Sequence, residues 1–465
     1  MGRKVKEEGF WKFVENFKGD KVIWMIVLLL MMFSILSVFS STSLLAIQQK
    51  TTRISIVKEQ FIIVAAGLAI IGICYFIRNI KVFEWLSQWG FLLSLTLLVI
   101  LNAHLNLGFI SAQKINDAWR NLSFLGLQIH VYEVVKIAMI LYLAWAVNAF
   151  KDDSFALANF FSTRFPRLAF LAEPFWKKLI YIYMPVLVVT ALILRDGTSS
   201  ALFIGGMMIL TIFIGGVNLK EIAGLAAIGI VYIALSFVLY EKTEGRINLS
   251  NRTSTAMHRL REHKKSGDKM DILLTAPRNS KQFQDALDDL KQPVSALVAI
   301  QEGGVLGKGP GQSTQRYVVP VLFGDYMSSF IVEEYGLWGA LIIIILYASL
   351  LSRGALLAKN CDNYYAKVVL AGLVLTISCQ AFMHMAINVH LVPQTGQTLP
   401  MISHGASSFL AFSVGFGVIL SISRMIHTKV QKAIDAAEPI RVQNEDEVRD
   451  TLSDLENMET EDYDV

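Results

Sequence analysis

Apolar residues in this chain come in long uncharged blocks separated by shorter polar intervals. Val22–Gln49, Gln60–Ile77, Trp85–Asn102, Leu179–Leu194, Thr198–Leu219, Ile222–Tyr240, Tyr335–Ser352, Val368–Val389 and Gly405–Ser423 contain no Asp, Glu, Lys or Arg. Ile129–Phe150 is a further block, with Glu133 and Lys136 near one end. A helix needs about 20 apolar residues to cross the hydrocarbon layer, and these blocks reach or approach that length. The pattern predicts an all-α polytopic membrane protein with about ten transmembrane helices. The longest internal polar interval, Glu241 to Asp325, would be one large extracytoplasmic loop between spans seven and eight. The expected organisation is a single membrane domain over 1–435, followed by an acidic, disordered cytoplasmic tail over 436–465.

Composition agrees with the pattern: 54% of the 465 residues are hydrophobic and 17% charged. The first apolar block is too long for the core of a cleavable signal peptide, and no small-residue cleavage site follows it. Three cysteines, Cys74, Cys361 and Cys379, are too few for a disulfide framework and read as packing residues. The net charge of +4 matters less than where the cations lie. Lys and Arg flank the first span from Arg3 to Lys21, and recur at Arg78 and Lys81, Lys151 to Lys178, Arg353 to Lys367 and Arg424 to Lys432. The alternate intervals carry fewer. The positive-inside rule therefore places both termini in the cytoplasm, in a multi-pass inner-membrane topology. Asn159–Lys178 mixes aromatic residues with Arg164, Arg167 and Lys177, as a segment lying in the cytoplasmic interface would.

Ionisable residues in or beside spans are costly unless paired or facing water, so each is a functional candidate. Glu133 and Lys136 stand at i, i+3 and can pair on one helix. Asp325 stands where the large loop re-enters the membrane, just before Glu333 and Glu334. Within that loop Arg252, Arg259, Arg261, Lys264, Lys265, Lys269, Lys308 and Arg316 concentrate positive charge suited to phosphate or pyrophosphate. A solvated loop surface would explain many of them equally well. Gly307-Lys308-Gly309-Pro310-Gly311 lacks the spacing of a P-loop, and no His or Cys set has metal-ligand spacing. Pro393, Gly396 and Pro400 break helicity ahead of the last span, and Gln394–Ser408 reads as part of a cavity wall.

Read together, Ile115–Arg120 (INDAWR), Glu133-x-x-Lys136, Ala299–Arg316 (AIQEGGVLGKGPGQSTQR), Asp325, Glu333–Gly336 and Ile387–Ser408 resemble the SEDS family of bacterial cell-envelope proteins. Gly309–Ser313 is closer to its FtsW branch than to RodA. The resemblance covers nearly the whole chain. It implies a ten-span glycosyltransferase that polymerises lipid II into peptidoglycan strands, here in cell division, with Asp325 as the catalytic residue. It further implies substrate contacts from Glu133, Lys136, Arg120, Gln312, Ser313, Ser403 and His404. Lys308, Arg252 and Arg259 are the candidates for binding pyrophosphate. The implied partners are a class B penicillin-binding protein (a transpeptidase), other divisome or elongasome membrane proteins and the bilayer, with no nucleic acid.

Several motifs depart from the family pattern. Val131-Tyr132 replace a usual Pro-Ser, Asn116–Asn121 depart from Asn-Gly-Ala-x-Arg-Trp, Pro320–Gly324 from Pro-Glu-x-x-Ser/Thr, and His404-Gly405-Ala406 from Tyr-Gly-Gly. No cofactor is certain; a divalent cation could assist, though no carboxylate cluster demands one. A flippase for lipid-linked sugars and a non-catalytic scaffold are the competing readings. The first gives no reason for Asp325 in an outer loop, and the second would tolerate its substitution.

Overall fold

Every apolar block is helical, and side-chain caps mark where several of the helices begin. Asp20 starts the first by accepting the amides of Val22 and Ile23 at 2.9 and 3.1 Å. The computed structural model describes residues 19–431 except 107, 109, 116–117, 125–126, 243–271, 273–274, 278 and 319–321. The helices are α1 Lys21–Ser41, α2 Ser43–Gln48, α3 Arg53–Phe76, α4 Ile80–Asn102, α5 Val131–Lys151, α6 Ala156–Arg164 and α7 Pro174–Leu194. They continue as α8 Thr198–Ile214, α9 Leu219–Lys242, α10 Lys281–Gly303, α11 Met327–Lys359, α12 Tyr364–Asn388 and α13 Ala406–Gln431.

Among the described residues nine of these helices are long and apolar enough to cross a membrane. The sixth block gives the shorter α8, 17 residues or about 26 Å of helix, at the lower limit for a span. The chain is a multi-pass membrane protein. Two details differ from the sequence pattern. The first block is broken at Thr42 into α1 and the short α2. The interval between α4 and α5 forms a three-stranded antiparallel sheet, β1 Ile110–Ile115, β2 Ala118–Phe124 and β3 Leu127–His130, in order β1-β2-β3. The all-α expectation holds for the membrane body and is amended by this small sheet beside it.

Helices α5, α12 and α13 form the centre, burying 78%, 67% and 72% of their most apolar stretches, whereas α9 buries 17% and lies at the periphery. The two ends of the bundle are closed differently. At one end the Asp20 amide donates to Ser423 Oγ at 2.7 Å, and Asp20 Oδ2 accepts from Arg353 Nη2 at 2.7 Å and Nε at 2.9 Å. The first span is thus tied to α11 and α13. The opposite end carries the sheet, α10, the turn around Asp325 and an irregular segment between α12 and α13.

α11 is interrupted at Gly336, whose φ of 68° and ψ of −169° suit only glycine. The break frees carbonyls of the preceding turn, and the glycine-rich segment after α10 takes them up. The Lys308 and Gly309 amides donate to the Glu333 and Glu334 carbonyls at 2.9 Å each, while the Leu337 amide turns to the Gly304 carbonyl at 3.0 Å. A Cβ on Gly336 would also collide with the Val305–Gly307 backbone. Gly336→Ala is expected to cost about 1–3 kcal/mol from backbone strain alone, read as a lowered thermal midpoint in detergent. An unchanged midpoint would refute this account of the break.

Candidate active site

Asp325 lies in the turn that leads into α11, and backbone groups of that turn are held from two sides. Asn388, near the end of α12, donates from Nδ2 to the Asp325 carbonyl at 3.0 Å. Ser403 Oγ donates to the Gly324 carbonyl at 2.9 Å, and the His404 amide to the Phe323 carbonyl at 3.0 Å. The segment between α12 and α13 therefore grips the Asp325 turn. Its Gly396 has φ +68°, and a Cβ built there would lie 3.6 Å from Asp325 Oδ2 and 4.0 Å from Arg120 Nη1. The missing side chain leaves both the carboxylate and the β2 guanidinium at van der Waals distance from where a Cβ would stand. Any larger residue at 396 would strain the backbone and press on both groups.

The irregular segment is polar inside the bundle, and most of its groups are matched, as a broken stretch at this depth requires. His384 Nδ1 lies 2.7 Å from the Gln397 carbonyl, Gln380 Nε2 donates to the Thr398 carbonyl at 3.0 Å, and Thr398 Oγ1 meets Ser408 Oγ at 2.9 Å. Beneath it Glu133 and Lys136 form a buried ion pair at 2.9 Å, and Lys136 also bonds to the Gln380 side chain. The Phe203 and Phe412 rings face the ammonium at 5.5 and 5.2 Å. The bonds from Gln380 to Lys136 and Thr398 link the ion pair to the segment that grips Asp325.

His404 anchors the segment on its other side through Nδ1, 2.8 Å from Gln60 Oε1. Gln60 Nε2 already donates to Ser34 Oγ at 2.8 Å, so Oε1 is the acceptor and His404 Nδ1 the donor.

Lys308, Gln312 and Ser313 gather elsewhere, around Glu333 and Glu334 on α11, about 12 Å along the helix from Asp325. Glu333 accepts Lys308 Nζ at 3.0 Å, Ser313 Oγ at 2.5 Å and the Thr314 amide at 2.7 Å. Glu334 accepts the Gly311 amide at 3.0 Å and the Ser40 hydroxyl of α1. The glycine-rich loop is an anion-binding concavity, and its anions are the protein's own carboxylates. Burial opposes the charge on Lys308, but hydrogen bonds to Glu302 and Glu333 outweigh it and raise its pKa above the ordinary lysine value. Gln312 is exposed at the loop surface. Arg252 and Arg259 lie outside the described residues, as does the 436–465 tail.

The structure thus brings Asp325, Arg120, Ser403 and His404 together, links Glu133 and Lys136 to them from below, and places Lys308, Gln312 and Ser313 in a separate loop cluster. Sequence reasoning missed Gln380, His384 and Asn388, although their spacing of four was available as a signal. Among the described residues, the buried polar atoms here without a hydrogen-bond partner include Arg120 Nε, His130 Nδ1, Thr395 Oγ1 and Ser328 Oγ.

A family model for cell cycle proteins, that of FtsW, RodA and SpoVE, matches residues 20–261 and 273–428. The chain belongs to this family. One relative, the probable peptidoglycan glycosyltransferase FtsW of Geobacter metallireducens, is 24% identical over 87% of this chain and 94% of its own length. Stage V sporulation protein E of Bacillus subtilis is 25% identical over 87% of this chain and 97% of its own. In fold, the FtsW, RodA and SpoVE likeness extends to a chain from a peptidoglycan synthase complex in which polymerization and crosslinking are coordinated. That chain has a TM-score of 0.56 and 19% identity, covering 88% of this chain and 98% of its own. The rod shape determining protein RodA of Thermus thermophilus gives a TM-score of 0.53 at 18% identity, with coverage of 88% and 98%. The FtsW names among relatives of this family agree with the FtsW-like Gly309–Ser313 segment.

Proposed function

We propose that this chain is a peptidoglycan glycosyltransferase that polymerises lipid II at the outer face of the cytoplasmic membrane during cell division. The observation that carries the reading is Asp325, in a turn fixed at the end of a membrane bundle of this family, with its carboxylate and Arg120 both close to Gly396. In this reaction a hydroxyl of the acceptor sugar attacks the anomeric carbon of a donor carried on polyprenyl pyrophosphate. The new C–O bond forms as the bond to pyrophosphate breaks, with inversion at that carbon. Asp325 takes the hydroxyl proton as general base. Arg120 bears on the charge that develops on the leaving pyrophosphate. The unmatched Arg120 Nε, His130 Nδ1 and Thr395 Oγ1 are groups that phosphate or sugar oxygens would satisfy.

Arg252, Arg259 and Lys308 remain proposed as further cations of the loop, with Lys308 needing release from Glu302 and Glu333 to reach a pyrophosphate. Among the described residues no group of three or more His, Cys, Asp or Glu is gathered to hold a metal ion. The basic intervals at the Asp20 end support cytoplasmic termini, which puts Asp325 outside. A class B penicillin-binding protein is the proposed partner, cross-linking the strands as they form.

The test is polymerisation of lipid II by the purified chain with that transpeptidase in vesicles. Glycan ladders are expected. Lipid II crossing the bilayer without polymer would instead support the flippase reading, and neither outcome would leave the scaffold.

A further inference from the structure

We propose that a polar ladder on α12, formed by Gln380, His384 and Asn388, sets the position of Asp325, with His384 and Asn388 acting as positioning residues for the transfer. This rests on the polymerase reading above. The three side chains stand one helical turn apart, about 6 Å each, on a helix otherwise apolar enough to span the bilayer. They are 0%, 0% and 1% exposed. A buried polar side chain is expensive unless its hydrogen bonds are made, and each of these makes them to two separate parts of the chain.

Gln380 bonds to Lys136 of α5 and donates to the Thr398 carbonyl at 3.0 Å. His384 meets the Gln397 carbonyl through Nδ1 at 2.7 Å and accepts the Ser328 amide at Nε2, 3.4 Å away. A carbonyl facing one ring nitrogen and an N–H facing the other fix the neutral tautomer with its proton on Nδ1. Asn388 donates to the Asp325 carbonyl at 3.0 Å and accepts from the Ser329 amide at 3.1 Å and Ser329 Oγ at 2.9 Å.

The amides of Ser328 and Ser329 belong to the first turn of α11, which has no partners for them within its own helix. Tyr326, the residue at the cap position, makes no side-chain cap bond to this turn. His384 and Asn388 therefore cap α11 from a neighbouring helix, and the capped turn is the one that begins next to Asp325. The same ladder holds Gln397 and Thr398, next to Gly396. One face of α12 thus fixes both the turn that carries Asp325 and the backbone beside it. A displacement of about 1 Å in such a geometry is worth up to 10²-fold in rate.

The experiment compares wild type, His384→Leu, His384→Gln and Asn388→Leu with the transpeptidase in vesicles, reading kcat and KM for lipid II per folded molecule alongside the thermal midpoint. Both leucine variants are expected to lower kcat by roughly 10- to 100-fold at nearly unchanged KM. His384→Gln, which keeps a donor and an acceptor, is expected to recover most of the loss. A lowered midpoint with kcat per folded molecule unchanged would show a merely structural ladder and overturn the proposal. Glutamine as poor as leucine would remove His384 from it. An inactive wild type would overturn the polymerase reading, and positioning with it, whereas an active wild type with kcat-neutral variants overturns positioning alone.

Discussion

Replacing Asp325 with asparagine is expected to lower glycan polymerisation by roughly 10²- to 10⁴-fold while leaving the fold intact, the range that positioned proton transfer contributes. The asparagine keeps the shape and loses the basic oxygen. The bonds that hold this turn from Asn388, Ser403 and the His404 amide all end on main-chain carbonyls of Phe323, Gly324 and Asp325. They do not depend on what side chain residue 325 carries, so the variant should bind its partner and melt where wild type does. Gel analysis of products from lipid II, with wild type and variant at equal folded concentration, checks the claim. Equal ladders would remove Asp325 as the base. A variant that fails to fold would instead show that the carboxylate itself supports the turn.

The largest effect on stability is expected at Lys136. Its ammonium is 2% exposed and pairs with Glu133, itself 7% exposed. Removing one member of a buried pair leaves an uncompensated charge, typically costing about 3–5 kcal/mol, while replacing both by apolar residues of similar volume is often neutral. Lys136→Met should therefore lower the thermal midpoint sharply, and Lys136→Met with Glu133→Leu should regain much of it. The regained fraction measures how much of the loss comes from the stranded carboxylate. The remainder reports bonds that the pair makes elsewhere, chiefly Lys136 to Gln380. A double variant no more stable than the single one would refute the argument.

The helices were legible because blocks of Leu, Ile, Val and Phe at membrane length admit one solution: a hydrogen-bonded helix. The sheet was less so. Ile110–Ile115 alternates apolar and polar residues only loosely, and its strands are short beside the spans around it. The pairing of Glu133 with Lys136 could be read because both sit on one helix. Lys308 could not be placed in the same way, since its partner Glu333 lies 25 residues further on, on another element, and only the fold brings them together. His384 looked isolated when judged as a metal ligand. Its real partners are a main-chain carbonyl and a main-chain amide, and main-chain groups leave no mark on a sequence.

The tie between Asp20 and the last span has a consequence for how the molecule is made. Asp20 and Ser423 are separated by 403 residues, which translation at 5–20 residues per second covers in roughly 20–80 s. For that interval the Asp20 amide waits for the Ser423 hydroxyl that will accept it, while Arg353, which seats the Asp20 carboxylate, emerges earlier. Ribosomal stalling or loss of α13 would leave that seam open in otherwise inserted copies. An unfinished molecule would then differ from a finished one by an unmatched Asp20 amide, its first span tied at this end to α11 alone.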